Sequence, residues 1–181
     1  MSVAALVLGS LTGCSSSDEP AKADPTPKKT ASPTASPSKS AEDLAKEQVL
    51  AAYRGMVRVQ YATYRTGKLD NAELQTYARD KAASGVVVAL HWYEQNGLKV
   101  VGDPGTEPKV TAINLKGESK TAVVSDCLDT SKTDTVYKST GKSALRPNST
   151  ESRRKPVTAK AVTVGDRWLI SEYEIDRSRS C

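Results

Sequence analysis

Asn96-Gly97-Leu98-Lys99-Val100-Val101 is the stretch at which the chain changes period. Asn-Gly is a good helix stop, with Gly in the left-handed position and Leu98 placed to make the apolar contact that often follows. Upstream, Ala83, Val86, Val87, Leu90 and Tyr93 follow helical spacing, which outweighs the strand propensity of Val86-Val87-Val88 and the helix-weakening Gly85. This predicts a helix over 79–96. Downstream, Leu98 to Val101 reads as a short strand and Gly102-Asp103-Pro104-Gly105 as a turn.

Working towards the N-terminus, Leu50, Tyr53, Val57, Tyr61 and Tyr64 recur at steps of three and four, one helical stripe, with Lys46, Arg54 and Arg58 off it. Ser40 and Asp43 have capping-box spacing. A long helix over 41–65, stopped by Gly67, follows. Asp70 and Glu73 then start a second helix carrying Leu74 and Tyr77. Working towards the C-terminus, 109–115 and 121–128 form a strand pair across Lys116-Gly117-Glu118. Another strand is expected over 135–139, and an exposed polar loop over 141–155. The clearest hairpin is 157–164 with 167–175, joined by Gly165-Asp166. In its second strand Trp168 and Ile170 on one face, and Leu169, Tyr173 and Ile175 on the other, suit a central strand. Helices first and antiparallel strands after argue an α+β domain over 41–181.

Residues 2–13 carry no charge, and between Val3 and Gly13 only Ser10 and Thr12 are not Val, Ala, Leu or Gly. That run is too short to span a bilayer, which needs about 20 apolar residues. It fits the apolar core of a secretory signal. No Lys or Arg precedes it, as a signal normally has, so a start upstream of Met1 or a misplaced start is implied. The run closes on Leu11-Thr12-Gly13-Cys14, which resembles the lipobox of bacterial lipoproteins. The resemblance implies a signal peptide over 1–13, lipidation of Cys14, and a cell-membrane location on the extracytoplasmic face, held by the lipid anchor. The tether is 14–40. Its Pro20, Pro25, Pro27, Pro33 and Pro37 are more than half of the nine prolines in the chain, and no aromatic or β-branched apolar residue lies between Ser15 and Ser40. Such a segment cannot offset its own ordering entropy.

The 181-residue chain carries a net charge of +5, spread along its length, so it lacks the basic stripe of a nucleic-acid partner. Phe is absent and there are seven Tyr, which must share core packing with Val, Leu, Ile and Ala. Of the three Cys, setting Cys14 aside leaves Cys127 and Cys181. Exported proteins meet an oxidising environment, so this pair is expected as a disulfide; the alternative is two thiols, one of them at the C-terminus.

The Tyr-rich first helix, the 96–101 stretch and Val164-Gly165-Asp166-Arg167-Trp168-Leu169-Ile170 resemble the NTF2-like, cystatin-like α+β cone. Ser125 to Asp129 with Cys181 is also similar to small actinobacterial lipoproteins. The resemblance implies N-terminal helices on a curved antiparallel sheet, with the disulfide clipping the tail to the middle of that sheet. It also implies a pocket between the two layers, used by some members as enzymes and by others as binding or assembly modules.

A single His excludes multi-His metal sites, and no phosphate loop, dinucleotide fingerprint or Gly-x-Ser-x-Gly elbow is present, so no metal or cofactor is expected. The candidate pocket groups are Tyr53, Tyr61, Tyr64, His91 and Asp126, with Tyr93 and Glu172 beside them. An isomerase-like site would set a carboxylate such as Asp126 against a phenol such as Tyr61 in an apolar cavity. Tyr at helical spacing is more often core packing, and His91 between Leu90 and Trp92 more often a half-buried, hydrogen-bonded residue than a base. The expected function is therefore non-catalytic binding of an envelope protein or small ligand. The alternatives are a lipid-anchored isomerase or dehydratase, or a structural subunit of an envelope transport or conjugation machine.

Overall fold

Ser40 starts the first helix by the capping the sequence suggests: its Oγ accepts from the Asp43 N–H at 3.1 Å. The computed structural model describes residues 39–147 and 149–181. The expected signal over 1–13, Cys14, and all of the expected tether except Lys39 and Ser40 lie outside the described residues. Since Ser40 caps the helix, the last tether position belongs to the domain.

Helix α1 (Ala41–Thr66) ends at Gly67, whose φ of 71° places it in the left-handed region. Asp70 caps α2 (Asn71–Leu74) through the Glu73 N–H, but this helix is four residues long and Tyr77 falls in the turn beyond it. Helix α3 (Asp80–Gln95) stops at Asn96, with Gly97 at φ 62°. The chain then enters β1 (Leu98–Val101).

Five further strands follow: β2 (Lys109–Asn114), β3 (Thr121–Asp129), β4 (Asp134–Tyr137), β5 (Arg154–Val164) and β6 (Arg167–Ile175). The fold is α+β, but the strands do not form one continuous meander. β1 and β4 pair with each other as a separate two-stranded sheet, while β2-β3-β5-β6 form a four-stranded antiparallel sheet. β4 leaves the main sheet because β3 pairs with β5 along its whole length, from Thr121 opposite Val162 to Asp129 opposite Arg154.

Two expectations need correction here. β5 begins at Arg154, so the polar loop is shorter than expected. Pro156 sits inside the strand, opposite Cys127. Its missing N–H lies on the side away from β3, where its carbonyl accepts from Asp176 N–H just past the end of β6, so no bond to β3 is lost. β6, expected to be central, is an edge strand. Its outer side is covered instead by the 77–79 segment: Ile170 donates to the Tyr77 carbonyl and Arg79 donates to the Ile170 carbonyl. The apolar residues expected on two faces are mostly on one: the extra residue in β6 resets the alternation, so that Trp168, Ile170, Tyr173 and Ile175 stand opposite Thr163, Ala161, Ala159 and Val157 on the core side, and Leu169 is left on the other.

Alternation in β3 puts Ala122, Val124, Asp126 and Leu128 inward, and Cys127 on the other face. Val157, Ala159 and Ala161 of β5 and Trp168 and Ile170 of β6 join them against Val49, Tyr53, Met56 and Val59 of α1 in one core. One extra residue in β2, between Val110 and Ala112, and one in β6, opposite the Lys160–Ala161 step, break the register and bend the strands locally. Cys127 is bonded to Cys181 with Cα atoms 5.9 Å apart, closing 54 residues of chain. The tail after β6 thus doubles back past β5 to β3, the middle of the sheet.

Candidate functional site

The sequence candidates divide into three places. Tyr53 and Asp126 form a core anchor. Tyr53 is fully buried and Asp126 is 5% exposed. The phenol donates to Asp126 Oδ2 at 2.7 Å, and the Glu107 N–H donates to Oδ1 at 2.6 Å. Both carboxylate oxygens are thus occupied, tying α1 and the 105–108 segment to β3. Burial, with Tyr173 and the Asp126 carboxylate adding, raises the Tyr53 pKa far above its ordinary value. The pairing of Asp126 with Tyr61 does not occur.

His91 is exposed on α3. It lies five residues beyond the buried Val86, about 140° further round the helix at 3.6 residues per turn, so it faces away from the sheet. The half-buried environment expected for it is absent. Glu172 pairs with Lys160 at 3.0 Å and lies near Lys81 at 3.9 Å, and lines neither of the two recesses described below.

Tyr61, Tyr64 and Tyr93 come together in a groove. The α1 residues Tyr61 and Tyr64 have ring centroids 6.1 Å apart, and Tyr64 lies 5.0 Å from Tyr93 of α3. Two adjoining recesses share Tyr61, Tyr93, Ile175 and Arg177. The larger, about 680 Å³, extends over Val100, Leu128 and the 130–135 turn and is walled by residues 144–146 and 149–155. The smaller, about 280 Å³, runs under α3 past Ala82, Gly85 and Val86 to Gln60 and Tyr173. Such volumes suit a small-molecule cleft.

The groove is aromatic below and cationic at its rim. Arg146, Arg153, Lys155 and Arg177 line the larger recess against a single carboxylate, Glu151. Arg153 is structural, donating to the carbonyls of Thr130 and Thr133 and to the Thr130 hydroxyl. Lys155 pairs with Glu151 at 3.0 Å and donates to the Arg177 carbonyl at 3.0 Å. That bond and the disulfide four residues later hold the Arg177 backbone beside the groove. Burial pushes the Tyr61 phenol up to about 12, with Tyr93 adding and the Arg177 and Arg153 guanidinium groups pulling back. Burial likewise raises Tyr64, partly offset by the Gln60 amide, and Tyr93, partly offset by the Thr135 hydroxyl and Arg177. At neutral pH these phenols are uncharged hydrogen-bonding groups, not bases.

Gln60, Arg177 and the cationic wall were not among the sequence candidates. Gln60 lay on α1 next to the expected stripe, one residue before Tyr61, but nothing in its spacing marks a polar residue as cleft-facing. Among the described residues no cluster of three or more His, Cys, Asp or Glu is placed to hold a metal, and no helix is long and apolar enough to cross a membrane.

No protein-family model matches the chain. No curated protein matches it either. Among solved structures, the intermembrane space region of chloroplast protein ARC6 is similar over 77% of this chain and 98% of that one, at 12% identity and a TM-score of 0.42, a likeness too loose to carry an argument.

Proposed function

We propose that this chain is a lipid-anchored protein of the extracytoplasmic membrane face whose NTF2-like domain binds a small ligand or envelope partner without catalysing a reaction. The observation that carries the location is a pairing of two features. A lipobox-like Leu11-Thr12-Gly13-Cys14 precedes a domain whose other two cysteines, Cys127 and Cys181, are bonded to each other. Disulfides persist in oxidising compartments, where lipoproteins reside. The cone reading is supported by the long α1 lying on an antiparallel sheet with bulges in β2 and β6. A binding role is supported by the groove, and by Asp126 being spent on Tyr53 and Glu107 outside it.

Expression of the full chain in a bacterial host that processes lipoproteins, followed by intact-mass analysis of the membrane fraction, tests the anchor. The expected product starts at Cys14 and carries added diacylglycerol and acyl mass, and Cys14→Ser leaves the membrane fraction. An unacylated chain retaining residues 1–13 in the wild type overturns the reading.

A further inference from the structure

We propose that the tyrosine groove binds an anionic amphiphile: a carboxylate held by Arg177, an adjacent N–H or O–H donor held by Gln60, and an apolar body lying over Tyr61 and Tyr93. The proposal rests on the ligand-binding half of the function proposed above and names its ligand class.

Three observations converge. First, Gln60 is 9% exposed, yet its Oε1 is buried without a hydrogen-bond partner. A buried unsatisfied acceptor is costly unless something supplies a donor. Gln60 lines the smaller recess, so a ligand entering there is placed to supply one. Second, Arg177 lines both recesses and forms no ion pair with a described carboxylate, whereas Lys155 is already paired and Arg153 is already hydrogen-bonded. Its guanidinium is close enough to the Tyr61 and Tyr93 phenols to act on both. Planar guanidinium suits two-point recognition of a carboxylate. Third, the floor between these two polar groups is apolar and aromatic, built from Tyr61, Tyr93, Ile175 and Val86. A purely polar anion would leave that surface wet, and a neutral hydrocarbon would leave Gln60 Oε1 and the Arg177 guanidinium unanswered. A molecule with one anionic end, a neighbouring donor and an apolar chain satisfies all three.

The test is calorimetric titration of the oxidised full chain with three probes below their micelle concentrations. These are N-dodecanoylglycine (carboxylate, N–H donor and chain), dodecanoate (no donor) and dodecyltrimethylammonium (cationic). Saturable 1:1 binding is expected for the first, weaker binding for the second, and none for the third. Arg177→Gln, at an exposed position, should weaken both anions roughly 10–100-fold with no change in unfolding midpoint. Gln60→Leu should abolish the preference for N-dodecanoylglycine over dodecanoate while leaving the chain folded. Equal binding of the cation, an unchanged affinity in Arg177→Gln, or no saturable binding by either anion overturns the proposal. That failure is separable from failure of the anchored reading, because the mass of processed Cys14 does not depend on the groove.

Discussion

The two long helices lie against the same sheet and are used differently. α1 buries eleven of its 26 residues, α3 only Ala82 and Val86 of its sixteen. α1 contacts β1, β2, β3 and β6, whereas α3 contacts β1 and β6. The side of α3 that faces away from the sheet is not polar: Val87 is 46% exposed, Val88 69% and Trp92 53%. Apolar content therefore does not separate a core helix from an edge helix here. What separates them is where the sheet ends. α1 has sheet beneath it across its width, while α3 lies at the β6 edge and overhangs it. The groove forms in the gap between the two, where Tyr61 and Tyr64 on one helix face Tyr93 on the other.

Alkaline pH should expose that difference most strongly. Tyr53 is fully buried and Tyr64 is 6% exposed, and burial raises both phenols above their ordinary value of about 10. A group whose folded pKa is raised contributes its full stability below the unfolded value and loses it as pH climbs towards the folded one. Above pH ~10 each should therefore remove about 1.4 kcal/mol per pH unit, or roughly 4 kcal/mol for the pair near pH ~11.5. Urea midpoints flat below pH ~10 and falling steeply above it are expected. Phenolate absorbance from these residues should appear only as the chain unfolds. Full phenolate absorbance from all seven tyrosines in a folded chain would show that α1 is not sealed against the sheet.

The core anchor gives a sharper contrast. Asp126→Ala strips acceptors from the buried Tyr53 hydroxyl and the part-buried Glu107 N–H, and should destabilise by roughly 2–4 kcal/mol in urea unfolding, at about 1–3 kcal/mol for the buried hydroxyl and less for the N–H, which water can partly satisfy. A loss as small as that of a surface change would mean water reaches this site.

Glycine divides the helices further. A Cβ on Gly55 of α1 would overlap the Tyr77 ring at Cδ1 and Cε1, and that ring is held in place under Arg58, 5.6 Å from the guanidinium carbon. Gly55→Ala should cost about 1–3 kcal/mol despite the better helix former. Gly85 of α3 has open space where its Cβ would be, so Gly85→Ala should stabilise by about 0.5–1 kcal/mol. The same substitution in two helices thus changes sign, and thermal melts of the pair in parallel check it. Equal signs would break the comparison. Smallest of all, Val88→Ser should stay within about 0.5 kcal/mol of wild type. A larger loss would indicate that the exposed α3 face is covered in solution.

Read from sequence, both long helices, the Gly67 and Asn96-Gly97 stops, the 98–101 strand and the final hairpin stand close to where they form, because each is set by local chemistry. Ser40 caps with its own Oγ, Gly67 and Gly97 take up positive φ, and period changes where burial changes from a stripe to alternate residues. The cysteine pairing was also legible, from parity once Cys14 is set aside and from the expected oxidising location. The site was legible only in part. Tyr61 and Tyr64 stand on one helical stripe, and the stripe says they face inward, but not that Tyr53 from the same stripe spends its hydroxyl on Asp126, 73 residues away.

What the sequence determined by itself, then, was the order and type of elements and the inward face of the two long helices, since these follow from propensity and period within a few turns of chain; the inward face of β6 is set instead by its bulge. What only the tertiary structure decided was strand partnership and the contents of the groove. β4 leaves the main sheet for β1, and β6 becomes an edge sealed by the 77–79 segment, because these depend on which distant edges remain unpaired after β3 and β5 zip together. Arg177 reaches the groove because a disulfide and one lysine hold its backbone there, and Gln60 Oε1 is left without a partner inside the fold. Neither placement is a property of neighbouring residues; both come from closing the chain on itself in three dimensions.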